Sequence, residues 1–161
     1  LLESAHSVSK INLKDSPVQE IWLRLDSLHI PDLCFSDLRT LIVDGCHFLT
    51  DAVLPFSLLS LLPQLESLVV RNCYFVKIIF DVKCLTQDMG PLPFALKNLI
   101  LQRLPNLENV WNAYQKEINL ELTFPQVKSL ALCDLPKLKY DMFKPFTHLE
   151  PHAQNQVCID K

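Results

Sequence analysis

Hydrophobic residues recur along the chain in one short frame, L-x-x-L-x-L, in which valine or isoleucine can replace leucine. The frame is clearest in LRTLIVDGC from Leu38 and LESLVVRNC from Leu65. It returns in LKNLILQRL from Leu96 and VKSLALCDL from Val127, and a first copy, VSKINLKDS, begins at Val8. Because side chains alternate between the two faces of a strand, each copy predicts a short strand whose apolar residues point inward.

The copies follow one another at similar intervals. Their central apolar residues are separated by 30, 27, 31 and 31 residues and are Ile11, Leu41, Leu68, Leu99 and Leu130. In four copies two further apolar positions follow at fixed offsets, first Cys46, Cys73, Leu104 and Leu135, then Leu49, Val76, Leu107 and Leu138. One coil of this kind cannot bury its apolar edge alone, so coils stack and their strands pair in parallel.

The repeat therefore predicts an α/β fold, a leucine-rich-repeat solenoid of about five irregular coils. We expect a parallel concave sheet, with short helices or loops on the convex side. An ordinary α/β domain with leucine-rich buried strands is the alternative, and the shared frame of five copies argues against it. Thr50–Leu62 is predicted to hold a short helix, with Thr50 as its cap and Pro55 near its first turn. The segments Asp81–Phe94 and Asn112–Phe124 read as outer loops.

The predicted domain organisation is one leucine-rich-repeat domain over residues 1–149 and a polar tail over residues 150–161. Terminal coils of a solenoid need polar caps, and neither end of the chain has the pattern of one. We therefore expect a slice of a longer array.

Composition limits the function more than it defines it. A net charge of −3 and a pI near 5.9 do not predict a nucleic acid or an anionic membrane as partner. No apolar run is long enough for a membrane-spanning helix. Six cysteines without a C-x-x-C pair, and no N-x-[ST] acceptor, favour a reducing, cytoplasmic location.

No motif predicts catalysis, a metal or a cofactor, so we expect that the chain is not an enzyme. His148 and His152 have the spacing of two ligands on a helix, but Pro151 lies between them. Cys46 beside His47 suggests a nucleophile and base, yet neighbours on a strand face opposite ways, and a core cysteine is the better reading. No motif fixes the separation of the candidate carboxylates Asp44, Asp51, Asp81 and Asp88. Trp22 and Trp111 are expected to pack on the convex side.

The copies end in two ways. LIVDGCHFL and LVVRNCYFV end in a cysteine, whereas LILQRLPNLENVW and LALCDLPKLKY run into L-P-x-L. Together with FPQVKSLALCDLPKL from Phe124, this pairing resembles the repeat region of plant intracellular disease-resistance proteins. These are the nucleotide-binding, leucine-rich-repeat receptors of the coiled-coil type, and the resemblance covers roughly residues 8–149. The first copy departs from the pattern, because INLKDSPVQEIW has no leucine at the second anchor.

The resemblance implies pathogen recognition, and autoregulation through contact with the receptor's own nucleotide-binding domain. The implied partners are that domain, a pathogen effector or a guarded host protein. The chain has no G-x-x-x-x-G-K-[ST] loop, so we expect no binding or hydrolysis of ATP by this region. Secreted plant receptors are typically richer in glycine and glycosylation acceptors. A different class also stays open, namely a stand-alone adaptor such as a substrate selector of a ubiquitin ligase.

The outward side chains of the frame are the candidate protein-binding residues, because they line the predicted concave sheet. The central outward position forms an apolar stripe, and the flanking charges are mostly basic, which would suit an acidic-rimmed partner. Equally, β-branched residues there can simply suit pleated strands. The candidates are Arg39, Thr40, Ile42, Asp44, Glu66, Ser67, Val69, Arg71, Lys97, Asn98, Ile100, Gln102, Arg103, Lys128, Ser129, Ala131 and Asp134.

Overall fold

Eight strands and one short helix make up the part of the chain that the computed structural model describes, residues 9–15, 35–59, 61–81, 95–112 and 127–139. In chain order they are β1 (Lys10–Lys14), β2 (Thr40–Asp44), β3 (Ala52–Pro55), α1 (Phe56–Leu59), β4 (Ser67–Arg71), β5 (Ile78–Asp81), β6 (Asn98–Gln102), β7 (Asn109–Asn112) and β8 (Ser129–Cys133).

Each of the five copies of the sequence frame contributes one strand to a single sheet. The order is β1-β2-β4-β6-β8, and every neighbouring pair is parallel. The central residues of the copies align, since Ile11 is opposite Leu41, Leu41 opposite Leu68, and Leu99 opposite Leu130. The predicted frame is thereby confirmed, including its first copy, although its intervals vary between 27 and 31 residues.

The apolar positions of the frame form the core between the coils. In the four later copies, every leucine, valine and cysteine at the predicted inward and anchor positions exposes 8% of its surface or less. Burial alternates along β2, β4, β6 and β8, with the second and fourth residues buried and the others half-buried. This alternation is the period-two pattern of a strand with one covered face.

A second parallel sheet, in the order β3-β5-β7, is formed by strands that come after β2, β4 and β6 along the chain. The sequence predicted short helices or loops on the convex side, and these three short strands are an addition to that prediction. Each strand of this sheet buries two consecutive residues, and Leu54, Phe80 and Trp111 align across it. Trp111 is buried in this row, which confirms its packing role, whereas Trp22 lies outside the described residues.

The predicted helix between Thr50 and Leu62 exists but is only four residues long, Phe56–Leu59. Thr50 does not cap it, because β3 lies between them and Pro55 ends that strand immediately before the helix. The two predicted loops fall mainly in residues 82–94 and 113–126, which lie outside the described part of the chain, as do residues 140–161 with the predicted tail.

Each strand of the first sheet is followed immediately by a residue with positive φ. These residues are Asp15, Gly45, Asn72, Arg103 and Asp134, with φ between 49° and 66°. Their backbone N–H groups continue the ladder, as where Asp15 donates to the Asp44 carbonyl at 2.9 Å and Asn72 to the Gln102 carbonyl at 3.1 Å. Glycine suits position 45, because its φ of 66° strains other residues and a Cβ there would meet the Asp15 carboxylate, which would have to move.

Candidate functional site

The outward side chains of β1, β2, β4, β6 and β8, with the residue before and the residue after each strand, form one continuous surface, the five-stranded face. Its residues fall into rows, because the strands pair without a shift. The central row contains Ile42, Val69, Ile100 and Ala131, all half-buried, and Asn12 occupies the same place on β1. A polar row beside it consists of Lys10, Thr40, Ser67, Asn98 and Ser129.

The structure places the predicted candidates on this face, with one change of position. The third outward residue of β8 is Cys133, which pairs with Gln102, and not Asp134 as the sequence frame suggested. Asp134 follows the strand and belongs to the positive-φ row with Arg103. The frame misplaced it because LALCDL has an acidic residue one step beyond the place that Asp44 occupies in LIVDG.

The residues before β2, β4, β6 and β8 form a row of charged side chains, in which one is acidic and three are basic. Glu66 lies between Arg39 and Lys97, because successive backbone N–H groups of this row donate to the carbonyl of the preceding coil at 2.8 Å. Its Oε1 atom accepts a hydrogen bond from Arg39 Nη1 at 2.9 Å and lies 3.2 Å from Lys97 Nζ. Lys128 continues the row in the last coil, as shown by its N–H donating to the Lys97 carbonyl.

A second carboxylate, Asp44, is held at the other edge of the face. Its Oδ2 atom accepts a hydrogen bond from Arg71 Nε at 2.8 Å, and its Oδ1 atom accepts one from Asn72 Nδ2 at 2.7 Å. Burial alone would raise the pKa of Asp44. The hydrogen bonds from Asn72 and Arg71, with the charges of Arg71 and Lys14, outweigh burial and lower that pKa below its ordinary value of 3.8.

The charge of the five-stranded face is opposite to that of the whole chain. The face carries seven basic and four acidic side chains, a surplus of three positive charges, whereas the chain has a net charge of −3. The basic residues are Lys10, Lys14, Arg39, Arg71, Lys97, Arg103 and Lys128, and the acidic ones are Asp15, Asp44, Glu66 and Asp134. Such a separation gives the face a positive field, which favours and steers acidic partners.

A patch of aromatic side chains, which the sequence reasoning missed, lies on the turns after β2 and β4. Phe48, Tyr74 and Phe75 are the large hydrophobic residues that the described part of the chain exposes, by 70%, 50% and 52%. The His47 ring stacks on Tyr74, with centroids 5.0 Å apart. The signal was available, because these residues lie between two buried anchors in CHFL and CYFV, where an exposed turn is expected.

The geometry of Cys46 and His47 does not match a nucleophile and its base. Cys46 is buried, and its thiol donates to the Leu13 carbonyl at 3.4 Å, whereas the His47 side chain is exposed. The hydrogen bond with Cys46 and then burial raise the pKa of Cys73, so its thiol stays protonated. These are core cysteines. His148, His152 and Asp88 lie outside the described residues.

Stacked coils, in-register parallel strands and a leucine-lined core define a leucine-rich-repeat solenoid. Residues 7–140 match the family described as the leucine-rich repeats of RPS2-like plant disease resistance proteins. The match covers most of the chain, so the chain belongs to this family. Neither the curated proteins nor the solved structures contain a match to the chain. No helix among the described residues is long and apolar enough to cross a membrane.

Proposed function

We propose that this chain is the protein-interaction and autoregulatory repeat region of an intracellular plant immune receptor, and that it acts by binding and not by catalysis. Membership of the RPS2-like repeat family is the observation that carries the proposal. Its partner would be the receptor's own nucleotide-binding domain, with a pathogen effector or a guarded host protein as the partner during recognition.

The five-stranded face supports the proposal as the surface for such a contact. Five strands about 4.8 Å apart span roughly 20 Å, and a face with some 25 residues has the size of one side of a standard interface. A surplus of positive charge on a chain of net charge −3 favours a partner with an acidic surface.

The first test reads the transcript upstream of Leu1 for an in-frame G-x-x-x-x-G-K-[ST] loop, which a nucleotide-switched receptor requires. The domain that contains it is then purified and titrated with the 161-residue chain. We expect saturable binding. A start codon just before Leu1, with no such loop, would contradict the proposal and favour a stand-alone adaptor.

A charge-reversed variant locates the contact. We expect Arg71→Glu combined with Lys97→Glu to weaken binding to the nucleotide-binding domain by about tenfold or more, since opposed charges become like charges. The matched control is Lys77→Glu with Lys139→Glu, because both lysines are exposed and lie off the five-stranded face. Unchanged affinity for the first variant, with normal melting curves for both, would show that the contact lies elsewhere.

A further inference from the structure

The acidic groups near the middle of the five-stranded face are already neutralised within it. Glu66 lies between Arg39 and Lys97, and Asp44 accepts hydrogen bonds from Arg71 and Asn72. Further basic side chains of the face lie outside these two groups. Lys10 and Arg103 make no ion pair within the described residues. A partner therefore meets a surface whose two central carboxylates, Glu66 and Asp44, are already paired and whose excess charge is positive.

The apolar row runs through the middle of this charged surface. Ile42, Val69 and Ile100 are directly opposite one another on adjacent strands, and all three are half-buried. Basic side chains lie on both sides of the row, as with Lys97 before β6 and Arg103 after it. Lys97 and Arg103 are six residues apart along the strand. At about 3.3 Å per residue, the two basic edges are therefore about 20 Å apart.

The spacing of the apolar row favours a helical partner over an extended one. Adjacent strands put its side chains about 4.8 Å apart. Residues three and four apart on a helix are neighbours at about 5–6 Å, whereas alternate residues on an extended strand are about 6.6 Å apart. A helix of 10–12 Å diameter also fits between edges about 20 Å apart, with room for side chains on either flank.

We propose that the five-stranded face binds an acidic amphipathic helix of a partner protein, which lies across the strands along the apolar row. Its apolar stripe packs on Ile42, Val69 and Ile100, and its carboxylates reach the basic residues on both edges. Four strand-to-strand steps span about 19 Å, so roughly 13 helical residues cover the face. The inference rests on the proposed function, since it names the kind of partner that the same face takes.

The experiment uses the full 161-residue chain and a labelled synthetic peptide of about 15 residues. The peptide carries leucines at positions i, i+3, i+4 and i+7, with glutamates on both flanks of that stripe. Fluorescence anisotropy gives its affinity, and circular dichroism gives its helicity with and without the chain. We expect binding that weakens with added salt, because exposed charges are screened, and a gain of helicity on binding.

Two control peptides and two variants separate the contributions. One peptide has lysines in place of the glutamates, and the other has a central proline, which breaks a helix. We expect both to bind at least about tenfold more weakly than the acidic peptide. Lys97→Glu combined with Arg103→Glu should weaken binding of the acidic peptide by a similar factor. Lys77→Glu combined with Lys139→Glu should change the affinity of that peptide by less than about twofold.

Equal binding of the lysine peptide would overturn the acidic character of the partner, and equal binding of the proline peptide would overturn its helical form. No binding of the acidic peptide by a chain that still binds the nucleotide-binding domain would refute the inference and leave the proposed function intact. Failure of both titrations, with a normal melting curve, would refute both.

Discussion

Two pairs of coils share one backbone arrangement and differ in what their turns present. The cysteine coils are residues 38–49 and 65–76, and the proline coils are residues 96–107 and 127–138. Their strands belong to one sheet without a shift of register, and their inward rows are buried alike. The difference therefore begins after the strand, at the first anchor and the two residues that follow it.

In the cysteine coils the anchor is a thiol and the turn is aromatic. The Cys73 thiol donates to the Arg71 carbonyl at 3.2 Å, so the anchor also satisfies a backbone acceptor at the strand end. The next two residues, His47 and Phe48 in one coil and Tyr74 and Phe75 in the other, are exposed.

In the proline coils the anchor is leucine and the turn is polar. Asn106 Nδ2 donates to the Tyr74 carbonyl at 2.6 Å, and Lys137 Nζ donates to Asn106 Oδ1 at 2.7 Å. These hydrogen bonds connect each turn to the turn of the preceding coil. Both kinds of coil share their inward residues and register, so these set the coil, while the two turn residues differ within the same fold.

The largest expected effect tests what the two kinds of coil share. Leu68→Asp in a cysteine coil and Leu99→Asp in a proline coil each bury an unpaired charge in the same row, and we expect each to lose about 3–5 kcal/mol of stability. Thermal melting followed by circular dichroism measures this. The control is Val69→Asp, on the half-buried outer row. A normal melting curve for Leu68→Asp would refute the frame assignment.

Gly45→Ala should have the next largest effect, because it alone among the positive-φ residues is glycine in the described coils. Strain at φ 66°, with a Cβ that would meet the Asp15 carboxylate, should cost about 1–3 kcal/mol. The control is Arg103→Gly. Arg103 has the same positive-φ conformation in a proline coil, and glycine adopts it without strain, so this change should not destabilise the fold through strain. Equal urea midpoints for Gly45→Ala and the unchanged chain would count against the close approach.

A smaller effect on stability is expected from Asp44→Asn, which breaks one partly exposed ion pair. Asp44 pairs with Arg71 in the cysteine coils, and the matching positions of the proline coils are Gln102 and Cys133. The pKa of Asp44 is lowered by folding, so its charge adds stability above pH 3.8 and this contribution is lost as the pH falls through the folded pKa. We expect a loss of up to about 1 kcal/mol at neutral pH, which vanishes in acid. Asp51→Asn, at an exposed site, is the control for urea unfolding at both pH values.

The smallest effect on stability should follow Phe48→Ser with Phe75→Ser, which gives the cysteine coils polar turns. Both side chains are more than half exposed, so the change should stay within about 0.5 kcal/mol. The same variant removes an exposed apolar patch, and we expect less self-association in sedimentation at high concentration. A large loss of stability would mean that these rings take part in packing.

The sequence frame predicted the first sheet because leucine spacing alone specifies it. Ile11, Leu41 and Leu68 align as expected, although no motif fixed the lengths between them. The second sheet could not be predicted in the same way, since its strands bury two adjacent residues, as Val53 and Leu54 do, and so lack period-two alternation. The outward residues followed from the frame, but the pairing of Glu66 and Asp44 with basic neighbours required the stacking of coils.

The matching register of both sheets has a consequence for how such a chain changes over generations. The stretch from Leu41 to Leu68 is 27 residues and the next is 31, yet the strands at each junction meet in the same way. Each coil bonds mainly to its two neighbours, so a whole coil gained, lost or exchanged by recombination leaves equivalent junctions on either side. Unequal crossing-over between repeats can thus change the outward residues of the protein in one event, while the inward residues that specify each coil are kept.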